Sequence, residues 1–307
     1  MSYVIPPIDK ELILEELKDA EFLRKTNSGG DRDIYITTAH DTPNIMKEIG
    51  RLRELSFGAE GGGSGKPCDI DEFDTLPNPH AYKQLFVWDN TDQEIVGGYR
   101  YIAGGDILIE GDNMHSATAG LFHLTEFFRE NYLFNTLELG RSFVSPNFQP
   151  SKNLRKGIFS LDNLWDGLGA LARTNKEIKY FFGKITMYPT MDTKARDYIL
   201  YFFKKHFPDN EGMMYPIESV EIKTDYNELV ELFDGLSYKE DHKILTKAVK
   251  ERGEHVPPLF NAYMNLSSTM KSFGTAVNRE FSNVEETGIL VTIADIYEDK
   301  QNRYMNY

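Results

Sequence analysis

One cysteine, Cys68, in 307 residues leaves no partner for an internal disulfide and no spaced Cys/His set for a zinc site. Burial alone must hold the fold together, and a reducing cytoplasm suits such a chain. No stretch reaches eighteen apolar residues, so no membrane-spanning helix is predicted, while peripheral contact with a membrane surface stays compatible. The N-terminus, MSYVIPPIDKELILEELKDAEF, lacks a basic start followed by an apolar run and does not read as a secretory signal. Basic residues are the minority. Against 48 Asp and Glu stand 34 Lys and Arg, and the net charge of −14 argues against a nucleic-acid binder. Core material is plentiful, since 40% hydrophobic and 13% aromatic residues exclude intrinsic disorder.

The charge is uneven. Between Ser151 and Lys205 there are eleven Lys and Arg against five Asp and Glu, so this segment is basic within an otherwise acidic chain. Such a segment forms either a solvated face or a surface for an anionic partner.

No internal repeat is present, and the pattern reads as mixed α/β. Asp9 and the spacing of Leu12, Leu14, Leu17, Ala20 and Leu23 predict a capped helix over about 9–25. A strand over 33–38 and a helix over 42–57 follow, then the glycine tract 58–65, which is expected to be a mobile loop. QLFVW (84–88) and EIVGGYRYI (94–102) predict a hairpin; 136–144 and 180–187 predict further strands. Helices are predicted over about 121–130, 162–173 and 194–206. Three more end near Leu266, before late strands at 270–276 and 288–294. Without a clear linker, residues 1–307 are expected to form one domain, with a helical arm over about 1–30 and an extension over about 206–307.

Several familiar motifs fail. GGGSGK lacks the first glycine of a phosphate-binding loop, Glu60 standing there, and Pro67 replaces the hydroxyl residue that would meet magnesium. Gly167, Gly169 and Ala172 fall inside a predicted helix and so do not form a dinucleotide turn. No G-x-S-x-G is present, and no histidine has an aspartate four or five residues later, which removes the serine elbow and the His/Asp acyltransferase box. Asp69, Asp71 and Asp74 break the calcium-loop pattern at Phe73, so no metal site is expected.

What remains is a set of charges inside apolar strands. Arg100 follows Gly97, Gly98 and Tyr99; Glu138 and Arg141 lie three apart, on opposite faces unless a bulge at Gly140 brings them together. A glycine in a strand marks a bulge or a close approach by a ligand; the alternative is a buried Glu/Arg ion pair.

Five segments in this order resemble a known family: Arg53 to Phe57, the acidic box Asp69-Ile-Asp71-Glu-Phe-Asp74, Gly-Gly-Tyr-Arg100, Glu138-Leu-Gly-Arg141-Ser-Phe-Val, and Tyr180-Phe-Phe-Gly183. They look like the haemolysin-like N-acyltransferases that make ornithine and glycine lipids, a GNAT-fold branch related to acyl-homoserine-lactone synthases. The resemblance runs from about residue 33 to 205, with a further likeness at 256–263. It implies an α/β GNAT-like fold, a mixed, mostly antiparallel central sheet flanked by helices. It also implies transfer of a long, often 3-hydroxylated acyl chain from acyl carrier protein to the α-amine of glycine or ornithine.

The chemistry of the residues fits that implication. A protonated amine needs a carboxylate to take its proton before it attacks a thioester, for which Glu138 is the first choice and Asp71 the second. Arg141 or Arg100 suits the amino acid's carboxylate, and a backbone N–H in the stretch containing Ser142 and Val144 suits the thioester oxygen. By the same resemblance, Arg53, Phe57, Asp71 and Asp74 shape the amine side. No cofactor is expected to be held permanently; the acyl thioester is a co-substrate. The coenzyme A cradle is reduced to Arg155-Lys156-Gly157-Ile158. An acidic carrier protein docking on Lys152, Arg155 and Lys156 is therefore expected, in the cytoplasm, with peripheral contact at the cytoplasmic face of the inner membrane left open. Two other functions remain open: acetylation of a small amine from acetyl-CoA, and a non-enzymatic, membrane-interacting haemolysin-like role.

Overall fold

The structure, a computed structural model, describes residues 1–235 and 237–306. The Asp9 side chain accepts from the Glu11 amide at 2.9 Å and starts α1 (Lys10–Glu16). The helix ends there, well short of residue 25, and Glu21–Lys25 forms β1, an edge strand paired with β2 (Arg32–Thr37). Tertiary context overrides the local helical spacing: Glu16 is drawn to the start of α2 (Pro43–Ala59). There its Oε2 takes the Asn44 and Ile45 amides at 2.8 Å, serving a helix whose own N-cap, Thr42, makes no side-chain cap bond.

The short α3 (Glu72–Thr75) precedes the hairpin of β3 (Lys83–Asp89) and β4 (Glu94–Ala103). A second hairpin, β5 (Leu108–Glu110) and β6 (Asn113–His115), leads to β7 (Phe122–Leu124). The helix predicted over 121–130 is thus split; only Glu126–Asn131 is helical, as α4, begun by the Thr125 side chain. β8 (Thr136–Val144), α5 (Leu154–Gly157), α6 (Ser160–Thr174), β9 (Tyr180–Met187) and α7 (Thr193–His206) follow. The last third adds β10 (Met214–Pro216), which pairs with β7, then α8 (Tyr226–Leu232), α9 (Tyr238–Glu251) and α10 (Pro258–Met264). β11 (Lys271–Asn278), β12 (Val284–Thr292) and α11 (Glu298–Tyr304) close the described chain.

Eight strands form one sheet in the order β1-β2-β3-β4-β8-β9-β12-β11. Neighbours are antiparallel except β8 and β9, which run parallel and are paired only from Thr136–Leu139 against Tyr180–Gly183. Beyond Leu139 and Gly183 the two strands part. One face of the sheet packs Leu85, Leu139, Phe181 and Ile185 against residues of α6 and α7 such as Leu168 and Ile199. On the other face, α2 covers Phe86 and Trp88 at one end, while Phe122 and Phe128 cover Phe182 and Leu290 at the other. Between these two apolar patches the sheet presents charged side chains. No described helix is long and apolar enough to cross a membrane.

Candidate active site

A bulge begins the site. Gly98 lies opposite Phe143 and Arg100 opposite Gly140, so Arg141 and Ser142 of β8 together face Tyr99 of β4. The distortion falls one residue beyond Gly140, and Arg141 itself takes the left-handed φ of 49°. Strand β4 fits against it only through glycine: a Cβ on Gly97 would lie 2.4 Å from the Phe143 carbonyl oxygen. The bulge does not unite Glu138 with Arg141.

Instead Arg141 reaches α3's side of the site. Its Nε donates to Asp69 Oδ2 at 2.9 Å and its Nη2 to Asp69 Oδ1 at 3.3 Å and Asp71 Oδ2 at 3.5 Å. The same guanidinium lies 4.2 Å from the ring centre of Phe281. Arg100 Nη1 donates to both Asp71 oxygens at 2.7 Å, and Asp74 takes Arg53 Nη1 at 3.3 Å and Gln84 Nε2 at 2.9 Å. Arg53 also donates to Gln84 Oε1. Three arginines thus meet three aspartates. Burial opposes charge on Asp71, but Arg100 and Arg141 outweigh it and hold the carboxyl well below the usual carboxylate range. Burial likewise works against Arg100, and Asp71 and Asp74 outweigh it, raising its pKa. Among the described residues no group of three or more His, Cys, Asp or Glu could hold a metal ion.

Where β8 and β9 part lies a cavity of about 720 Å³. Gly140, Arg141 and Ser142 form one wall and Gly183, Lys184 and Thr186 the other. Leu161, Met191, Leu259 and Tyr263 add apolar lining, with Glu254 and His255 also present, and Gly157 and Ile158 stand on the α5 side. Of the residues singled out by sequence, Phe57, Arg100, Arg141, Ser142 and Val144 line this cavity. Arg53, Asp71 and Asp74 do not line it; Asp71 holds both lining arginines from behind, and Asp74 holds Arg100 and Arg53. Glu138 does not line it either. It is buried, and its Oε1 accepts the Thr118 amide at 3.1 Å and hydroxyl at 2.7 Å. Lys152 and Arg155 are exposed, whereas the Lys156 ammonium is 2.6 Å from Asp92 and so is already paired.

The glycine tract is tied down where sequence predicts a mobile loop. The buried Glu54 of α2 accepts the Ser64 amide at 2.9 Å, the Ser64 hydroxyl at 2.8 Å, the Gly65 amide at 2.9 Å and the Tyr3 hydroxyl at 2.9 Å. Gly62 lies against Tyr188, whose ring would come within 2.8 Å of an added Cβ. The tract's small residues serve close approach here.

Two cavity residues escape the sequence reading. Lys184 donates from Nζ to the Ala117 carbonyl at 3.2 Å and to Thr118 Oγ1 at 3.0 Å, and burial lowers its pKa. Glu286, only 5% exposed, keeps its Oε2 without a hydrogen-bond partner. A charged residue inside an apolar strand, YFFGKITM, was the available signal for Lys184, whereas Glu286 sits in Val284-Glu285-Glu286-Thr287, ahead of the strand expected over 288–294, and carries no such signal.

Residues 52–156 match the family described as acetyltransferase (GNAT) domain. The chain is 50% identical over 306 residues to a glycine N(alpha)-acyltransferase of Phocaeicola vulgatus, covering 99% of this chain and 93% of that one. It is 49% identical over 306 residues to a glycine N(alpha)-acyltransferase of Bacteroides thetaiotaomicron, covering 99% and 90%. Among solved structures, the AHL synthase LasI aligns with a TM-score of 0.41 at 12% identity, over 91% of this chain and 96% of that one. With half its residues shared along nearly the whole length of two such enzymes, the chain belongs to the glycine N(alpha)-acyltransferase family, has a GNAT-type fold and is an N-acyltransferase.

Proposed function

We propose that the enzyme moves a long fatty acyl chain, plain or 3-hydroxylated, from the thioester of an acyl carrier protein to the α-amine of glycine, in aminolipid synthesis. The observation that carries this reading is the cavity itself, which opens between the parted strands and is lined both by charged groups such as Arg100 and Arg141 and by apolar ones such as Leu161, Met191 and Leu259. A thioester laid in that gap has its chain against Leu161, Met191 and Leu259 and its carbonyl beside the bulge. There the amides of Arg141 and Ser142 leave the regular ladder and suit the developing oxyanion. With Nε and Nη2 of Arg141 held by Asp69 and Asp71, its Nη1 suits the glycine carboxylate, and Arg53, Asp74 and Arg100 keep that cluster in position. Phe57 and Val144 close the site around the reacting atoms. Asp71 is gripped by two guanidiniums and Glu138 by Thr118, so both serve better as supports than as bases.

Carrier protein is favoured over coenzyme A by two features. The Arg155-Lys156-Gly157-Ile158 segment is a poor pyrophosphate cradle, with the amides of Lys156, Gly157 and Ile158 already donating to Asn153 and Leu154 and the Lys156 ammonium paired with Asp92. Exposed Lys152 and Arg155 on the cavity's α5 side would meet an acidic protein. A lipid product would leave toward the cytoplasmic face of a membrane. Mass spectrometry of lipids from a host expressing the protein tests the reading. A new N-acylglycine, absent without the protein, is expected. Its absence with soluble protein present would move the assignment to acetylation of a small amine from acetyl-CoA.

A further inference from the structure

We propose that Glu286 of β12 is the general base that takes the proton from the acceptor's ammonium group. The inference rests on the amine-acylation reading above. Three carboxylates line the cavity: Glu60, Glu254 and Glu286. Glu60 is exposed at the end of α2, and Glu254 Oε1 accepts the Asp192 amide at 3.0 Å. Glu286 alone of the three is buried, and its Oε2 has no partner. A buried carboxylate oxygen without a donor is costly to keep, which points to a ligand that supplies one.

The sheet places this side chain where such a donor would be. In the β12–β9 pairing, Glu286 lies opposite Thr186 and Gly288 opposite Lys184, so Lys184, Thr186 and Glu286 share the face that lines the cavity. Lys184 spends two of its donors on Ala117 and Thr118 and forms no ion pair with Glu286, leaving the carboxylate free to meet the substrate. An acceptor with its carboxylate toward Arg141 would turn its ammonium toward Glu286.

The step balances as follows. The ammonium gives one proton to Glu286, and the freed lone pair attacks the thioester carbon to form the C–N bond. The C–S bond breaks, the leaving sulfur takes a second proton from the nitrogen to become a thiol, and Glu286 returns its proton to solvent. No other reactant is needed.

The test uses the full-length Glu286→Gln enzyme, a carrier-protein thioester, and two acceptors of similar shape. Glycine carries a protonated amine at neutral pH; aminooxyacetate carries an unprotonated one. With Glu286→Gln, glycine turnover is expected to fall about 100-fold, the size of a lost general base. The KM for the thioester stays unchanged and aminooxyacetate turnover falls far less. Equal losses with both acceptors, or unchanged glycine turnover, would overturn the proposal. A thermal unfolding midpoint matching wild type shows that the loss is chemical, and partial rescue by Glu286→Asp would support the same role. Should the wild type acylate another amine in place of glycine, the substrate reading fails. The same comparison with that amine and its unprotonated analogue still decides the role of Glu286.

Discussion

Glu138 and Glu286 both act on the charge of Lys184, one from β8 and the other from β12, yet only Glu286 reaches the cavity. Glu138 is bound to Thr118, and Thr118 in turn receives Lys184, so this carboxylate supports Lys184 from outside the cavity. The two acids illustrate how a shared electrostatic environment divides into support and chemistry according to which oxygen is left unbonded.

Arg141→Lys should cost more than an ordinary surface exchange. A lysine cannot make the two-pronged contact with Asp69 or lie flat against Phe281, and one lost charge-assisted bond corresponds to about a tenfold or greater fall in kcat/KM. Steady-state kinetics with glycine checks it. Wild-type kcat/KM would show that Arg141 is peripheral.

Asp74→Ala should destabilise the fold by about 3–5 kcal/mol, because two buried guanidiniums, Arg53 and Arg100, lose a counter-charge and Gln84 loses an acceptor. Urea unfolding monitored by circular dichroism measures this. A change below about 1 kcal/mol would mean that water or a rotated side chain replaces the carboxylate.

Lys152→Glu together with Arg155→Glu should raise the KM for a carrier-protein thioester by about tenfold at low salt, and by less as salt rises. The KM for a short pantetheine thioester should stay put, since it offers no acidic protein surface. Equal changes for both donors would rule out docking at this segment.

Cys68 should resist alkylation. Burial, reinforced by Asp69, pushes its thiol pKa from 9.0 up to about 11, so at pH 8 it holds about 100-fold less thiolate than an ordinary cysteine. Iodoacetamide labelling followed by mass spectrometry reads the rate directly, and labelling should accelerate as the pH climbs toward 11. Fast labelling at pH 7 would show that the thiol is not shielded.

Much of the central sheet was legible because its strands carry their own pattern. Lys83–Asp89, Glu94–Ala103, Thr136–Val144 and Tyr180–Met187 are apolar runs bounded by turn residues, and they fold where that pattern puts them. β1 was not legible, because Leu17, Ala20 and Leu23 continue a helical spacing that only pairing with β2 overrules. Phe122–Leu124 was hidden in the same way by its pairing with β10. In the site, charges within apolar strands pointed to Arg100 and Arg141, both of which line the cavity. The same rule favoured Glu138, whose partner Thr118 comes from a loop that no periodicity announces. Glu286 stayed hidden because its meaning depends on β12 lying beside β9, a neighbour about a hundred residues earlier in the chain.

That insertion of β12 between β9 and β11 also sets an order of assembly. A nascent chain still on the ribosome can complete β8, β9 and α7 long before residues 284–292 are made. Until they arrive, β9 is an open edge of apolar sequence, ready to pair with the wrong strand. Chains released before β12 would lack both the carboxylate and the strand that seals the sheet. Premature termination is therefore expected to yield inactive, aggregation-prone fragments and no partially working enzyme.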